Sequence, residues 1–441
     1  MRARRHHYWI LLRSTFWFVP GVMIISAGVL AGIALAIDSS PMGSQLPGWI
    51  MAGGADGARA LLSTVAGSMV TVAGLGFSIT IVALVLASTQ FGPRLLSLFM
   101  RDTTSQVILG MFAGTFTYCV LILRSIRGPD EGGSPFVPQL SVTVAVGLTL
   151  VSVAALVYFF HHVAVSIQAP KVAAAVARDL DHAIDHLYPN DLGRGGPQPE
   201  PNEIPSTETD VVVPSATSGY IQVVDDAAML DLAVQYDLCI RLLTRPGLFV
   251  VRGNPILVLR PGNTLNEDLA GRLRSSLIIG DARTAEDDIE FSVRQLVEVA
   301  LRALSPAIND PFTAMAAIDW LGAALARLAR AEFPSRYRYD EQGRLRIVAD
   351  VSTFGGIAHT IFSRIRHYGG TSPVVLNRLL EAVAAFGPYI TVDSDRALVR
   401  DETEAVLRAG RALSTSDADL AELERRHRAA VLALGGASSS S

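Results

Sequence analysis

The sharpest spacing of possible metal ligands in this 441-residue chain is Asp181-His182-x-x-Asp185-His186. His182 and His186 are four residues apart, so a helix would place both imidazoles on one face, where they can chelate Zn²⁺. A zinc site normally needs a third and a fourth ligand. We therefore predict a solvated helix face and no metal site, with His182 and His186 as the candidate ligands of the alternative.

Three carboxylates, Asp287, Asp288 and Glu290, form a second group that can perform acid–base hydrolysis. They precede an apolar helical segment, and the helix macrodipole favours negative charge at that position. We therefore interpret them as capping charges. The sequence has no phosphate-binding loop, nucleophile elbow, dinucleotide fingerprint or Cys/His cluster, so we predict no enzymatic activity and no cofactor.

A basic stretch follows in the C-terminal half, with Arg327, Arg330, Arg336, Arg338, Arg344 and Arg346. Such a stretch can meet anionic lipid or a phosphate-bearing ligand. The alternative is an ordinary solvated surface. The formal net charge of −4 does not indicate a nucleic-acid partner.

Small and hydroxylated residues recur at three- and four-residue intervals in the second apolar segment, followed on the same face by two valines. The candidates for lining a pore are Thr64, Ser68, Thr71, Gly74, Ser78, Val82 and Val85. Hydroxyls beside an apolar ring are typical of a pore with a hydrophobic constriction. Stripes of Ser, Thr and Gly are equally typical of tightly packed membrane helices. Both interpretations stay open.

Four long apolar stretches position these residues, at 16–37, 69–87, 107–123 and 142–160. Each approaches the ~20 residues that a helix needs to cross a bilayer. Charged residues are 18 % of the chain, below the ~25 % of soluble proteins, which agrees with a membrane protein. Lysine and arginine are enriched at the ends that share a side with both termini, so the positive-inside rule places both termini in the cytoplasm.

Two glycine pairs at four-residue spacing predict close helix packing, namely Gly28 with Gly32 and Gly110 with Gly114. The packing partner is either another helix of the same chain or a second copy. We expect a homo-oligomer in the lipid bilayer.

A second feature of the membrane part is an elbow formed by Gln90, Gly92, Pro93 and Arg94, where proline interrupts the second helix. We interpret this elbow as either a coupling point between the two halves or a rigid joint.

The predicted fold is a membrane bundle of four helices followed by a cytosolic α+β domain. The domains are 1–168 in the membrane, a connecting amphipathic helix at 169–189, a linker at 190–209, a β-rich module at 210–262, a mostly helical domain at 263–434 and a tail at 435–441. Segment 247–259 resembles half of a lipoyl-type sandwich, but its hairpin has no lysine, so a lipoyl cofactor is not expected.

Several strings together resemble one family. They include Leu62-Ser-Thr-Val-Ala-Gly-Ser-Met, Gln90-Phe-Gly-Pro-Arg-Leu-Leu and a motif containing Ser305, Pro306, Asn309, Asp310 and Pro311. The chain resembles the bacterial membrane proteins grouped as domain of unknown function 2254. The resemblance implies an inner-membrane protein with four membrane helices and a soluble tail, and it implies no activity.

The function that we expect from these patterns is a passive channel-like conduit for ions or small solutes, regulated by the cytosolic domain. Ionisable residues are absent from the middle of the four apolar stretches, which disfavours an ion-coupled carrier. The alternative is a membrane-anchored sensor or interaction scaffold without a permeation path.

Overall fold

A computed structural model describes residues 17–40, 54–92, 95, 99–100, 102–128, 135–187, 210–262, 265–284, 288–369, 372–414 and 416–435. The chain divides into two compact units, Met1–Lys171 and Val172–Ser441. The predicted linker at 190–209 and most of the predicted tail lie outside the described residues.

The first unit contains four helices that are long and apolar enough to cross a membrane. They are α1 (Phe18–Asp38), α2 (Ala55–Phe91), α3 (Thr103–Ser125) and α4 (Gln139–Ser166). Helix α2 has 37 residues and begins 14 residues before the predicted apolar stretch at 69–87. Its first part is rich in Ala, Gly, Ser and Thr, which lowers the mean hydropathy without preventing a helix. At 1.5 Å per residue, α2 is about 55 Å long and exceeds the ~30 Å hydrocarbon core.

Large aromatic side chains fill the interior of this bundle. Phe112 and Tyr118 of α3 and Phe159 of α4 are fully buried. Between them, the hydroxyls of Thr115 and Ser152 are 3.1 Å apart and form a buried hydrogen bond. The described interior of the bundle is therefore a packed core.

The N-terminus of α4 is capped by a residue from another helix. The Asp38 carboxylate accepts hydrogen bonds from the Leu140 N–H at 3.0 Å, the Ser141 N–H at 2.9 Å and the Ser141 hydroxyl at 2.6 Å. Because the first N–H groups of a helix have no partner inside the helix, Asp38 satisfies donors that would otherwise be unpaired. It also joins the C-terminal end of α1 to the start of α4.

We expect Asp38→Ala to destabilise the first unit by about 1–2 kcal/mol, the usual cost of losing an N-cap. Thermal unfolding of the full chain in detergent measures the loss. Asp56→Ala is the matched control, since Asp56 is an exposed carboxylate in the first turn of α2. Equal melting temperatures for the two variants would contradict the capping role.

The amphipathic helix α5 spans Ala169–Leu187, and the second unit begins within this helix, at Val172. Its apolar residues Val172, Val176, Leu180 and Ile184 are buried, as their spacing predicts.

A mixed segment follows α5. Its elements are β1 (Val211–Pro214), β2 (Gly219–Val224), α6 (Asp226–Gln235), β3 (Cys239–Leu242), β4 (Phe249–Val250), β5 (Pro255–Arg260), α7 (Glu267–Ser275) and β6 (Leu277–Gly280). The two short helices and β6 are not among the sequence predictions.

Two sheets organise the strands. One has the order β1-β5-β3-β8-β7, and the other has the order β4-β2-β6. Strands β7 (Tyr337–Tyr339) and β8 (Leu345–Val348) lie far along the chain, and β8 pairs in parallel with β3. The larger sheet therefore crosses the predicted boundary at residue 262. The segment that resembles half a lipoyl sandwich is also divided, since β4 and β5 belong to different sheets.

Six α-helices complete the described part of the second unit. They are α8 (Ile289–Ala303), α9 (Pro311–Leu328), α10 (Phe354–Gly369), α11 (Pro373–Phe386), α12 (Asp393–Leu413) and α13 (Asp417–Gly435). Leu296, Phe362, Leu380 and Val406 are among the side chains that they bury. The fold is a membrane-type helical bundle followed by a unit of mixed sheets and helices, which confirms the predicted order of these two parts.

Candidate functional site

The predicted pore-lining stripe lies on the outer surface of the first unit. Val82 and Val85 are 55 % and 56 % exposed, and Thr64, Ser68, Thr71, Gly74 and Ser78 are also exposed. The opposite face of α2 carries the buried residues Leu62, Ala66 and Met69. The stripe therefore points away from the core of its own four helices.

Three of the four hydroxyls of the stripe donate hydrogen bonds along their own helix. Thr64 donates to the Ala60 carbonyl at 2.7 Å, Ser68 to the Thr64 carbonyl at 2.8 Å and Thr71 to the Gly67 carbonyl at 3.1 Å. A Cβ atom placed on Gly67 or Gly74 would meet no described atom within 4 Å. The surface is thus open, and each hydroxyl oxygen keeps capacity to accept a further hydrogen bond.

The two glycine pairs differ in their surroundings. A Cβ on Gly110 would lie 2.7 Å from the Met23 sulfur and 3.0 Å from the Pro20 Cα, so α1 and α3 approach closely there. A Cβ on Gly114 would touch the same part of α1. A Cβ on Gly28 would contact only Leu121, at 3.9 Å, and a Cβ on Gly32 would contact no described atom within 4 Å.

The elbow is described only in part. Helix α2 continues through Gln90 and ends at Phe91, and Gly92 has a φ of 104°, which favours glycine at a helix C-terminus. Pro93 and Arg94 lie outside the described residues.

A polar cluster that sequence reasoning missed lies close by in the chain. The Asp102 carboxylate caps α3 through the Thr104 and Ser105 N–H groups and lies 2.8 Å from the His162 Nε2. The His162 ring also stacks on Tyr158. These contacts join the start of α3 to the last turns of α4. An aspartate at the N-cap position before Thr-Thr-Ser was the sequence signal for the start of α3. The pairing of this aspartate with His162 is visible only in the folded structure.

In the segment with the candidate ligands His182 and His186, the two aspartates pair with an arginine. The carboxylates of Asp181 and Asp185 both bind the Arg327 guanidinium. His182 is exposed, and the side chain of His186 lies outside the described residues. Within the described ranges, no group of three His, Cys, Asp or Glu side chains could hold a metal ion.

Asp288 and Glu290 are buried in an ion-pair network, and Asp287 lies outside the described residues. Asp288 caps α8 and accepts from Arg283, whereas Glu290 accepts from Arg245, Arg294 and Ser352.

Burial raises the pKa of Asp288 despite the Arg283 guanidinium. Burial also acts to raise the pKa of Glu290, but Arg245, Ser352 and Arg294 together lower it. The side chains of Asp288 and Glu290 are 3 % and 10 % exposed, and their ion pairs connect Arg283 and Arg245 to α8.

The arginines of the basic stretch differ in their partners: some pair with carboxylates, and the others contact a backbone carbonyl or an aromatic ring. Arg344 and Arg346 pair with Asp340 and Asp237, and Arg327 pairs with α5. Arg338 is buried and donates to the Ser335 carbonyl. Arg330 instead stacks on Tyr389, with 3.6 Å between the guanidinium carbon and the ring centroid. Arg336 donates to the Ala349 carbonyl at 3.5 Å.

The motif from Ser305 to Pro311 forms a tight turn between α8 and α9. The Ser305 carbonyl accepts from the N–H groups of Ile308 and Asn309 at 3.1 and 2.9 Å. Asn309 has a φ of 47°, and Asp310 is the N-cap of α9, with Pro311 as its first residue. Pro306 is exposed. The turn thus sets the direction in which α9 leaves α8.

Comparison with known proteins identifies the family of this chain. A family described as a predicted membrane protein (DUF2254) matches residues 13–385. Uncharacterized proteins of Mycobacterium bovis and Mycobacterium tuberculosis are each 32 % identical over 425 residues, which cover 96 % of this chain and 81 % of the relative. No solved structure matches this chain. Its four long apolar helices and this match over most of its length show that the chain belongs to the DUF2254 family of predicted membrane proteins.

Proposed function

We propose that this protein is a passive conduit for ions or small solutes, formed where the α2 helices of several copies meet in a bacterial inner membrane. In this proposal both termini and the second unit are cytoplasmic, and the second unit regulates the conduit. The proposal needs no catalytic step and no cofactor. The observation that carries it is the outward-facing stripe on α2.

The length and composition of the stripe support a position at the centre of an assembly of several copies. From Thr64 to Val85 the helix rises about 32 Å, which is close to the hydrocarbon thickness of a bilayer. Within hydrocarbon, small residues and hydroxyls are typical of helix–helix contacts, because they let backbones approach. The described residues of the same chain leave this stripe exposed, so we propose that it faces a space enclosed by the α2 helices of several copies.

Closed symmetry would place equivalent stripes around a shared axis. Hydroxyls and glycines from Thr64 to Ser78 then line a polar path, and Val82 with Val85 forms an apolar ring that can gate by dewetting. The aromatic core of the single bundle supports a path between copies over one through it. The lack of ionisable groups along the stripe supports passive permeation.

We expect Thr71→Cys and Ser78→Cys to react with a charged, membrane-impermeant thiol reagent in proteoliposomes, because both positions face water in a conduit. The native thiols of Cys119 and Cys239 are buried. Val151→Cys is the matched control, since Val151 is 53 % exposed on α4, on a face where we expect lipid. Reaction at the two stripe positions, together with faster ion flux in Val82→Ala, supports the conduit.

Protection of both stripe cysteines, with no flux in any variant, would contradict the conduit. Native mass spectrometry in detergent that detects only monomers would contradict the oligomer on which it depends.

A membrane-anchored sensor without a permeation path is the second candidate. A specific observation favours it, namely a cavity in the second unit, lined by residues of α5 and by residues in and after α9. Protected stripe cysteines combined with ligand binding at this cavity would favour the sensor over the conduit.

A further inference from the structure

The cavity in the second unit has a volume of about 360 Å³ and is lined by Ile184, Asp185, Ala323, Ala326, Arg327, Arg330 and Ala331. This volume is at the lower end of the range for small-molecule sites, roughly 300–1,000 Å³. The lining combines four apolar residues with three charged residues. Such a composition is typical of a site for a small molecule with one polar end.

Alanine side chains create much of the space. Ala323 and Ala326 are three residues apart on α9, so they lie on one face, and Ala331 follows the end of the helix. Ile184 of α5 supplies the opposing apolar contact. A ligand would therefore bury an apolar group against these four side chains.

Arg330 is the cation of the cavity that no described carboxylate neutralises. Its guanidinium is exposed and lies over the Tyr389 ring, so one of its faces is held by a cation–π contact. The N–H groups at the edge of a guanidinium form a planar fork that matches the oxygens of a carboxylate or phosphate. Stacking on Tyr389 orients this fork before a ligand arrives.

Arg327 has a different role, because it binds the carboxylates of both Asp181 and Asp185. Asp185 lines the cavity and is the group that would repel an incoming anion. Its pairing with Arg327 reduces this repulsion, and removal of its charge should strengthen anion binding.

We propose that this cavity binds a small organic oxyanion, a carboxylate or phosphate monoester with a compact apolar group. Arg330 contacts the oxyanion, and Ile184 with the three alanines contacts the apolar group. The ligand is either a soluble metabolite or the headgroup of an anionic lipid, and both present the same chemistry. This inference is independent of whether the protein forms a conduit.

The test is a thermal-shift titration of the full chain in detergent with phenyl phosphate and, separately, with inorganic phosphate. A ligand that binds the folded state raises the melting temperature in a concentration-dependent way. We expect phenyl phosphate to give a saturable rise and inorganic phosphate a smaller one. The same titration with phosphatidate and with phosphatidylcholine in mixed detergent micelles then distinguishes a lipid headgroup from a soluble ligand.

Four variants test the charge of Arg330, the shape of the cavity and the repulsion by Asp185. Arg330→Gln should weaken phenyl phosphate binding at least about tenfold. Arg336→Gln, an equal charge change at an exposed arginine outside the cavity, should leave it unchanged. Asp185→Asn should strengthen binding. Ala323→Leu keeps every charge but fills the cavity, and it should abolish binding.

Equal affinities for Arg330→Gln and Arg336→Gln would overturn the proposal. So would the absence of any response to phenyl phosphate, inorganic phosphate or phosphatidate in mixed micelles at millimolar concentration. If only phosphatidate in mixed micelles raises the melting temperature and Arg330→Gln abolishes this rise, the ligand is a lipid headgroup and the proposal stands. The melting temperature of each variant without ligand shows whether it is folded.

Discussion

Replacing Asp340 with Asn is expected to lower the free energy of unfolding of the second unit by about 3 kcal/mol, because it breaks a buried ion pair. The side chains of Asp340 and Arg346 are only 2 % and 5 % exposed, and the Asp340 Oδ2 lies 2.8 Å from the Arg346 Nε. Asp340 also accepts hydrogen bonds from the backbone N–H groups of Gln342 and Arg344. Asparagine keeps the shape of the side chain but leaves Arg346 without its buried counter-charge.

The matched control is Asp237→Asn. Asp237 contacts the same Arg346 guanidinium at 2.7 Å, but its side chain is 76 % exposed. Its φ of 52° is a conformation that Asn tolerates well. Asp237→Asn should therefore change stability little. Urea unfolding of the full chain in detergent measures both variants, and equal losses would show that burial does not set the strength of this ion pair.

The dependence of this effect on pH has a defined sign. Burial acts to raise the pKa of Asp340, but the Arg344 backbone N–H and the Arg346 guanidinium outweigh it and lower the pKa to about 2. The pKa of an aspartate in the unfolded chain is about 3.9. The carboxylate therefore contributes its full stability above about pH 4 and loses it as the pH falls towards 2. The difference between wild type and Asp340→Asn should shrink across this window and stay constant above it.

The second large effect is expected for Gly110→Val, which should destabilise the first unit by about 3 kcal/mol, the upper end for overpacking. Its Cβ would lie 2.7 Å from the Met23 sulfur and 3.0 Å from the Pro20 Cα. Met23 can rotate away, but Pro20 Cα is backbone, so α1 must move. Melting temperature in detergent measures the loss.

Gly32→Val is the matched control, because a Cβ there would meet no described atom within 4 Å. It makes the same change of residue in a neighbouring helix of the bundle. If Gly110→Val is as stable as Gly32→Val but shifts the oligomeric state, Gly110 contacts a second copy and the close approach to α1 is not the relevant contact.

Local and periodic features of the chain were predictable from its sequence. Uninterrupted apolar runs indicated the four membrane helices, because each must satisfy its backbone groups internally. Short β-like stretches at 220–224 and 256–259, within the predicted β-rich module, lie within one residue of the observed ends of β2 and β5. The Asp310-Pro311 pair placed the start of α9, since both residues act within one helical turn. Apolar spacing likewise predicted that α5 buries one face.

Contacts between distant residues were decided only by the tertiary structure. The partner of Arg327 is Asp181, 146 residues earlier in the chain, and no local pattern connects them. Spacing showed that the stripe from Thr64 to Val85 shares one face of α2, but it did not show whether that face points into the bundle or away from it. Periodicity fixes which residues lie together on an element, whereas packing fixes what those residues face, because packing depends on every other apolar surface in the chain.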